Sequence, residues 1–287
     1  MNYPSLYKVA DAASLKAQNK FLRLTMAHAV LLVIGTALAI NVMPNKLYSI
    51  IMALVFLLAL GLSILLGIKK YEKTWYNGRA VAESIKTSTW RYCMRASPFE
   101  NADAVQIPKT EFRNLLNGII KANRELGEAI SEHEDTGGQI TDEMNEVRSL
   151  CLEQRKDYYL KFRVDEQRLW YTKKAAFNKK KQRHWFVCLI STQLLAILCV
   201  LLRIAYPEWN YWPTDVLVVM AAFVIGWMQI KKFNELSSAY SLTAQEIGII
   251  RGLSEDVQSD GDLSSFVINS EQAFSREHTQ WSARQNS

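Results

Sequence analysis

The sequence predicts an all-α integral membrane protein: four transmembrane helices in two hairpins, with long cytoplasmic helical extensions. Three observations predict it. Two pairs of dense apolar runs are separated by charged stretches, lysines and arginines crowd the ends of those runs, and no strand-type alternation of any length occurs between them. With 287 residues and 49% hydrophobic content, average composition alone would also suit one or two soluble domains, so the placement of the apolar residues decides.

A helix needs roughly 20 apolar residues to cross about 30 Å of hydrocarbon. Span one runs from Thr25 to Val42, with only His28 and Asn41 strongly polar. Pro44 and Asn45 turn the chain, and Tyr48 to Ile68 is uncharged, which makes span two. Trp185 to Ile204 is span three, interrupted by Gln193 and by Arg203, which can snorkel from its end. Pro207, Asn210 and Pro213 then break the helix before span four, Val216 to Ile230, and Tyr206, Trp209, Tyr211 and Trp212 gather there as headgroup-level aromatics do.

Orientation follows the cation bias. Lys16, Lys20 and Arg23 precede span one, Lys69, Lys70 and Lys73 follow span two, Lys179 to Lys181 and Arg183 precede span three, and Lys231 and Lys232 follow span four. The loops inside the hairpins offer only Lys46, Glu208 and Asp215, so both termini and the long middle segment belong in the cytoplasm. The first apolar run follows a polar helical segment and lacks a cleavage-type end, so it is a retained span. The net charge of +6 suits anionic lipid headgroups, and no stable binding of duplex DNA is expected.

The chain also looks duplicated. Lys69-Lys70-Tyr71 is echoed by Lys231-Lys232-Phe233, Ala82 with Ile85 by Ala244 with Ile247, and Ala12, Ala13 and Lys16 by Ala175, Ala176 and Lys179. Two parallel repeats follow, residues 1–135 and 136–287, related by an axis along the membrane normal.

Between the hairpins, Gln139 to Tyr206 contains neither glycine nor proline, and Thr141 before Asp142 and Glu143 is a fitting helix start. Ile140, Met144, Val147, Cys151, Tyr158 and Phe162 mark one apolar face. An unbroken helix up to Trp185 would project about 65 Å, so a bent stalk feeding span three is expected. Phe112, Leu115, Leu116, Ile119, Ile120, Leu126 and Ile130 mark a second amphipathic helix, and Gly137-Gly138 separates the two, which an antiparallel pairing would bury.

After span two, Trp75, Arg79, Ala82, Lys86 and Trp90 fall on one helical face, with Glu83 spaced to pair with Arg79 and Lys86. This pattern suits an interfacial helix with aromatic anchors, and equally a cationic, aromatic surface for a nucleotide-like ligand. In spans three and four, Thr192 shares a small-residue face with Cys188, Ala196 and Cys199, Gly226 with Ala222 and Gln229, and Gln193 lies beside the first. Thr192, Gln193, Gly226 and Gln229 are candidates for helix–helix contact or for lining a pore.

The hairpin followed by Trp75-Tyr76, Arg79, Ala82-Glu83, Lys86 and Trp90, and the second hairpin followed by Ala244, Gln245 and Glu246 with Glu277 and Trp281 beyond, resemble the SLATT family. These are bacterial membrane effector domains associated with nucleotidyltransferase and nucleotide-sensing proteins in conflict systems. The resemblance covers most of the chain as two modules in tandem. It implies a pore-forming effector of antiphage defence in the bacterial inner membrane, gated by a cytosolic nucleotide or oligonucleotide signal or by a partner, with Trp75, Arg79, Glu83, Lys86 and Trp90 receiving the signal. The second half has Ser237, Ser238 and Ser241 where the first has its Trp-Tyr pair and arginine.

The four histidines, His28, His133, His184 and His278, are scattered, no P-loop or other catalytic motif occurs, and the four cysteines have neither disulfide nor zinc spacing. An enzyme is therefore not expected, nor any metal or cofactor. Four spans are too few to enclose much water, so a pore requires a homo-oligomer. The rival reading is a non-conducting membrane scaffold that recruits a cytoplasmic protein. Cysteine labelling checks the topology: Asn45 and Asn210 should react from outside, and Ser97, Gly138 and Ser287 only from inside. External labelling at Gly138 would refute the orientation.

Overall fold

The computed structural model describes residues 1–40, 45–100, 106–127 and 137–285, with the backbone alone described for Glu125 and for 276–285. Among them the regular elements are all helical: α1 (Ser5–Ala39), α2 (Lys46–Lys69), α3 (Tyr71–Cys93), α4 (Gln106–Ala122), α5 (Asp142–Ser149), α6 (Leu152–Tyr159), α7 (Glu166–Ala205), α8 (Thr214–Lys231), α9 (Phe233–Gly252) and α10 (Asp260–Gln285). A π-helical turn, Leu160–Asp165, joins α6 to α7. Four helical stretches are long and apolar enough to cross a membrane, and they begin at Ser5, Lys46, Leu152 and Thr214.

The helix ends repeat. Asn45 caps α2, its side chain accepting from the Tyr48 N–H at 2.8 Å. At the other end Lys70 turns into the left-handed region (φ 43°), and its N–H bonds the Leu66 carbonyl. Lys232 does the same after α8, with φ 46° and its N–H on Met228. In both repeats a new helix begins at the next residue, an aromatic one, and the cation sits where the carbonyl end of the helix dipole favours it. At matching positions further on, Ala82 and Ala244 are buried, as are Ile85 and Ile247. The duplication read in the sequence is thus a duplication of structure.

The chain divides into two compact units. The hairpin unit comprises residues 19–71 and 175–238. In it α1 and α2 approach closely at Gly35, where a Cβ would lie 2.9 Å from the Phe56 ring, which is why glycine stands there. His28 and Ser63 pair side chain to side chain at 2.9 Å. Cys199 of α7 and Leu217, Ala221 and Val224 of α8 are buried, whereas Leu54, Leu57, Leu194, Ile197 and Leu201 are exposed, as lipid-facing residues must be.

The helical unit comprises residues 1–18, 72–174 and those from 239 onward. Its core joins Leu6 and Ala10 of α1, Ile85 and Trp90 of α3, Phe112 of α4, Tyr159, Ile247 of α9 and Phe274 of α10. Ser14 donates to the Trp75 carbonyl at 2.9 Å, and Gly78 lets α1 and α3 meet there, since a Cβ would come 3.1 Å from that of Ser14.

The bent stalk is present, and two expected apolar faces need correction. The stalk bends where α5, capped by Thr141 as expected, ends at the extended Leu150 (ψ 155°), and from Leu152 one helical stretch passes through the π-turn into span three. The break serves Arg155, whose Nε bonds the freed Leu150 carbonyl at 3.1 Å. Met144 and Val147 are buried as expected, but beyond Leu150 the buried face is turned by about one residue. Cys151 is exposed and Tyr158 and Phe162 are only partly covered, while Arg148, Arg155, Tyr159, Arg163 and Val164 are buried. Likewise α4 packs Phe112 on Tyr92 and Phe99, at ring separations of 5.2 and 5.8 Å beside the end of α3. Ile120 is exposed, and Ile130 lies outside the described residues.

Candidate functional site

Helix α3 carries the five residues singled out for signal binding, and their surroundings separate them. The Trp75 ring stacks on Tyr76 at 4.5 Å, half-buried. Arg79 bonds Asp11 of α1 at 3.1 Å and Glu83 at 2.7 Å. Burial opposes its charge, yet these two carboxylates more than offset that and hold its pKa above the ordinary arginine value. Trp90 is fully buried, donates to the Tyr3 hydroxyl at 3.0 Å and meets the Tyr159 ring edge-on at 5.6 Å, so its indole is a core element. Lys86 lies between. Burial, with Arg163 and Arg79 as neighbouring cations, pushes its pKa down, against a partial pull from Glu83.

Beneath this face lies a network that the sequence did not reveal. Arg163, in the π-turn, grips Glu271 of α10 with two bonds, Nε to Oε1 at 2.8 Å and Nη2 to Oε2 at 2.6 Å. Tyr159 donates to Oε1 at 3.0 Å, and Thr87 of α3 donates to Oε2 at 2.9 Å. The pair is almost sealed from solvent, with side chains 2% and 1% exposed. Burial alone would lower the pKa of Arg163, but Glu271 raises it instead. The guanidinium also lies over the Phe274 ring at 5.0 Å. Its Nη1 has no hydrogen-bond partner among the described residues.

Two further arginines hold the end of α3. Arg148 donates to the Tyr92 and Phe99 carbonyls at 2.6 and 2.8 Å, and Arg155 to the Met94 carbonyl at 2.8 Å while pairing with Asp260. Cations at a helix C-terminus satisfy carbonyls that lack intrahelical partners. The sequence signal was present, since residues 148, 155 and 163 are seven and eight apart on what a helix makes one face, but arginine in a charged stretch reads as surface.

In the hairpin unit, Thr192 donates back to the Cys188 carbonyl at 2.8 Å. Gln193, Gly226 and Gln229 are exposed, the two glutamines make no hydrogen bond among the described residues, and a Cβ on Gly226 would meet nothing within 4 Å. Packing inside the second hairpin falls to Cys199, Leu217, Ala221 and Val224. Of the residues noted in the second repeat, Ala244 is buried and Gln245 exposed, while the side chains of Glu277 and Trp281 lie outside the described residues. All four cysteines are free, and no cluster of metal-ligating side chains occurs among the described residues.

Duplicated two-span hairpins together with a helical unit define a class of multi-pass helical membrane proteins. Residues 4–156 match SMODS and SLOG-associating 2TM effector domain 3, and residues 159–281 match SMODS and SLOG-associating 2TM effector domain 1. The chain belongs to this SLATT family, with two of its domains in tandem. No curated protein and no solved structure matches it.

Lys86 gives the cleanest test of the α3 face. A half-buried cation whose pKa is depressed releases its proton in the folded state first, so its charge works against folding until pH climbs toward the ordinary lysine value of about 10.4. Lys86→Met should therefore raise the thermal midpoint at neutral pH, with the advantage shrinking as pH rises toward that value. A lower midpoint at pH 7 would show that the ammonium is held by interactions that stabilise it.

Proposed function

We propose that this chain is a pore-forming membrane effector of a bacterial antiphage or conflict system, opened when a nucleotide or oligonucleotide signal, or a partner protein, acts on the helical unit. The effector part of this reading is the family's own description. Continuity of the helices carries the rest. Helix α1 runs without a break from Ser5, beside the buried Leu6 and Ala10, to Ala39, and α7 from Glu166 past the buried Tyr171 to Ala205. Helices α3 and α9 follow their spans after a single left-handed residue. A shift at the core end of α1 or α7 therefore acts on a span through an uninterrupted helix, and one in α3 or α9 through a single left-handed residue.

On this reading the protein sits in the inner membrane with both termini in the cytoplasm, and it performs no catalytic step. Copies associate in the bilayer, where packing and interhelical hydrogen bonds drive association, and Gln193, Gly226 and Gln229 are candidates for such contacts because they are exposed and the two glutamines make no hydrogen bond among the described residues. Arg79, at the rim of α3, is the residue through which a signal would be felt, because its two carboxylate partners can be exchanged for an anionic ligand.

Membrane-potential recording tests this. Cells expressing the chain with its genomic neighbours should depolarise on triggering, and Gln193→Leu should lower single-channel current in planar bilayers while insertion is unchanged. Arg79→Ala should blunt triggering more than it reduces protein level. A chain that inserts, responds to its trigger and never conducts would leave the scaffold reading in its place.

A further inference from the structure

The duplicated architecture leaves one of two equivalent helix faces uncovered. On α3 the face formed by Ala80, Thr87 and Arg91 is partly buried, and Thr87 meets Glu271 of α10, a helix of the other repeat. The corresponding positions on α9 and just beyond it are Leu242, Ile249 and Leu253, which are 64%, 71% and 53% exposed. They lie seven and then four residues apart and so form one stripe. Large apolar residues stand uncovered where the first repeat has small or polar residues against a neighbour.

The repeat also says what kind of helix belongs there. In the second repeat the covering element is α10, and its counterpart in the first is α4: each follows the extramembrane helix of its hairpin, and each buries a phenylalanine at the matching position, Phe112 and Phe274. Lys109 of α4 stands where α10 has Glu271. Lys109, Arg113 and Ile120 share a face by helical spacing, with Arg113 and Ile120 exposed. The edge of the α9 stripe is acidic, with Glu255 and Asp256 exposed in the turn that follows. The two cations of this face suit the acidic turn, and Ile120 suits the apolar stripe.

We propose that the Leu242–Ile249–Leu253 stripe is a docking surface for α4 of a second copy of this chain. A two-fold axis makes the contact twice, so that each copy's α4 covers the other's α9, as α10 covers α3 within one chain. The assembly closes with four repeats in order and leaves no equivalent face open. The inference adds a named contact to the oligomer that the pore reading requires, and it can stand or fall without current.

The test uses full-length protein in phosphatidylethanolamine–phosphatidylglycerol vesicles, with the exposed Cys151 and Cys188 changed to serine. Two tagged versions, one carrying Ile249→Cys and the other Lys109→Cys, whose counterparts Thr87 and Glu271 touch within one chain, are mixed and treated with a short bis-maleimide. The mixed cross-linked dimer should predominate, and native mass spectrometry in mild detergent should give twice the chain mass. Ile249→Glu should return the mass to that of one chain with helicity unchanged by circular dichroism. Predominance of a product joining two chains that both carry Ile249→Cys would overturn the proposal, as would a single-chain mass with no cross-link. A fluorophore attached to the Ile249→Cys variant and quenched by headgroup spin-labelled lipid would place the stripe on the membrane surface and overturn it too. A cross-linked dimer that carries no current removes the pore and leaves this contact, whereas current without the cross-link removes the contact alone.

Discussion

The buried ion pair between Arg163 and Glu271 is the constraint on which the helical unit depends. Taking both charges out of water costs several kcal/mol per ion unless hydrogen bonds replace the lost hydration. Here the carboxylate accepts four: two from Arg163, one from Tyr159 and one from Thr87. These donors come from the π-turn at the start of the second family domain, from the end of α6 and from α3 of the first domain, so the two domains share one electrostatic centre. Removing either partner would strand the other in an apolar surround, at a cost of about 3–5 kcal/mol. A π-turn is an uncommon element that recurs at functional positions, and this one carries the arginine.

Around that centre the same chemistry recurs in milder form. Arg148 and Arg155 take the carbonyls at the end of α3, and Lys70 and Lys232 stand at the carbonyl ends of the second and fourth spans. Each places a cation where a helix leaves acceptors unsatisfied. The consequence for α3 is mechanical. Helix α3 is held at its far end by arginines and along its length by Thr87 and Trp90, and its near end joins a span after one residue.

Much of this was legible in the sequence, for identifiable reasons. The spans were readable because a bilayer requires long uncharged runs, and the repeat because Lys70 and Lys232 are followed by aromatic residues and then by small and branched ones at equal spacing. The Thr141 cap was readable from its acidic neighbours. The buried polar network was not, because Arg148, Arg155 and Arg163 look like a solvated face, and their partners are backbone carbonyls and a glutamate more than a hundred residues away. Because Arg155 and Arg163 take the core side, the apolar face beyond Leu150 is turned by a residue and Cys151 is left exposed. The tryptophans of α3 misled in a related way: helical spacing groups Trp75 and Trp90 on one face, but only packing shows that Trp90 faces Tyr159 in the core.

The most direct measurement is a double-mutant cycle on Arg163→Met and Glu271→Leu, read from unfolding free energies of the full chain in detergent. The account predicts that each single substitution loses about 3–5 kcal/mol, whereas the double variant recovers most of that loss, because two apolar side chains can replace a sealed ion pair at little net cost. Losses that simply add in the double variant would mean that the two residues act independently, and that no shared centre couples the two domains.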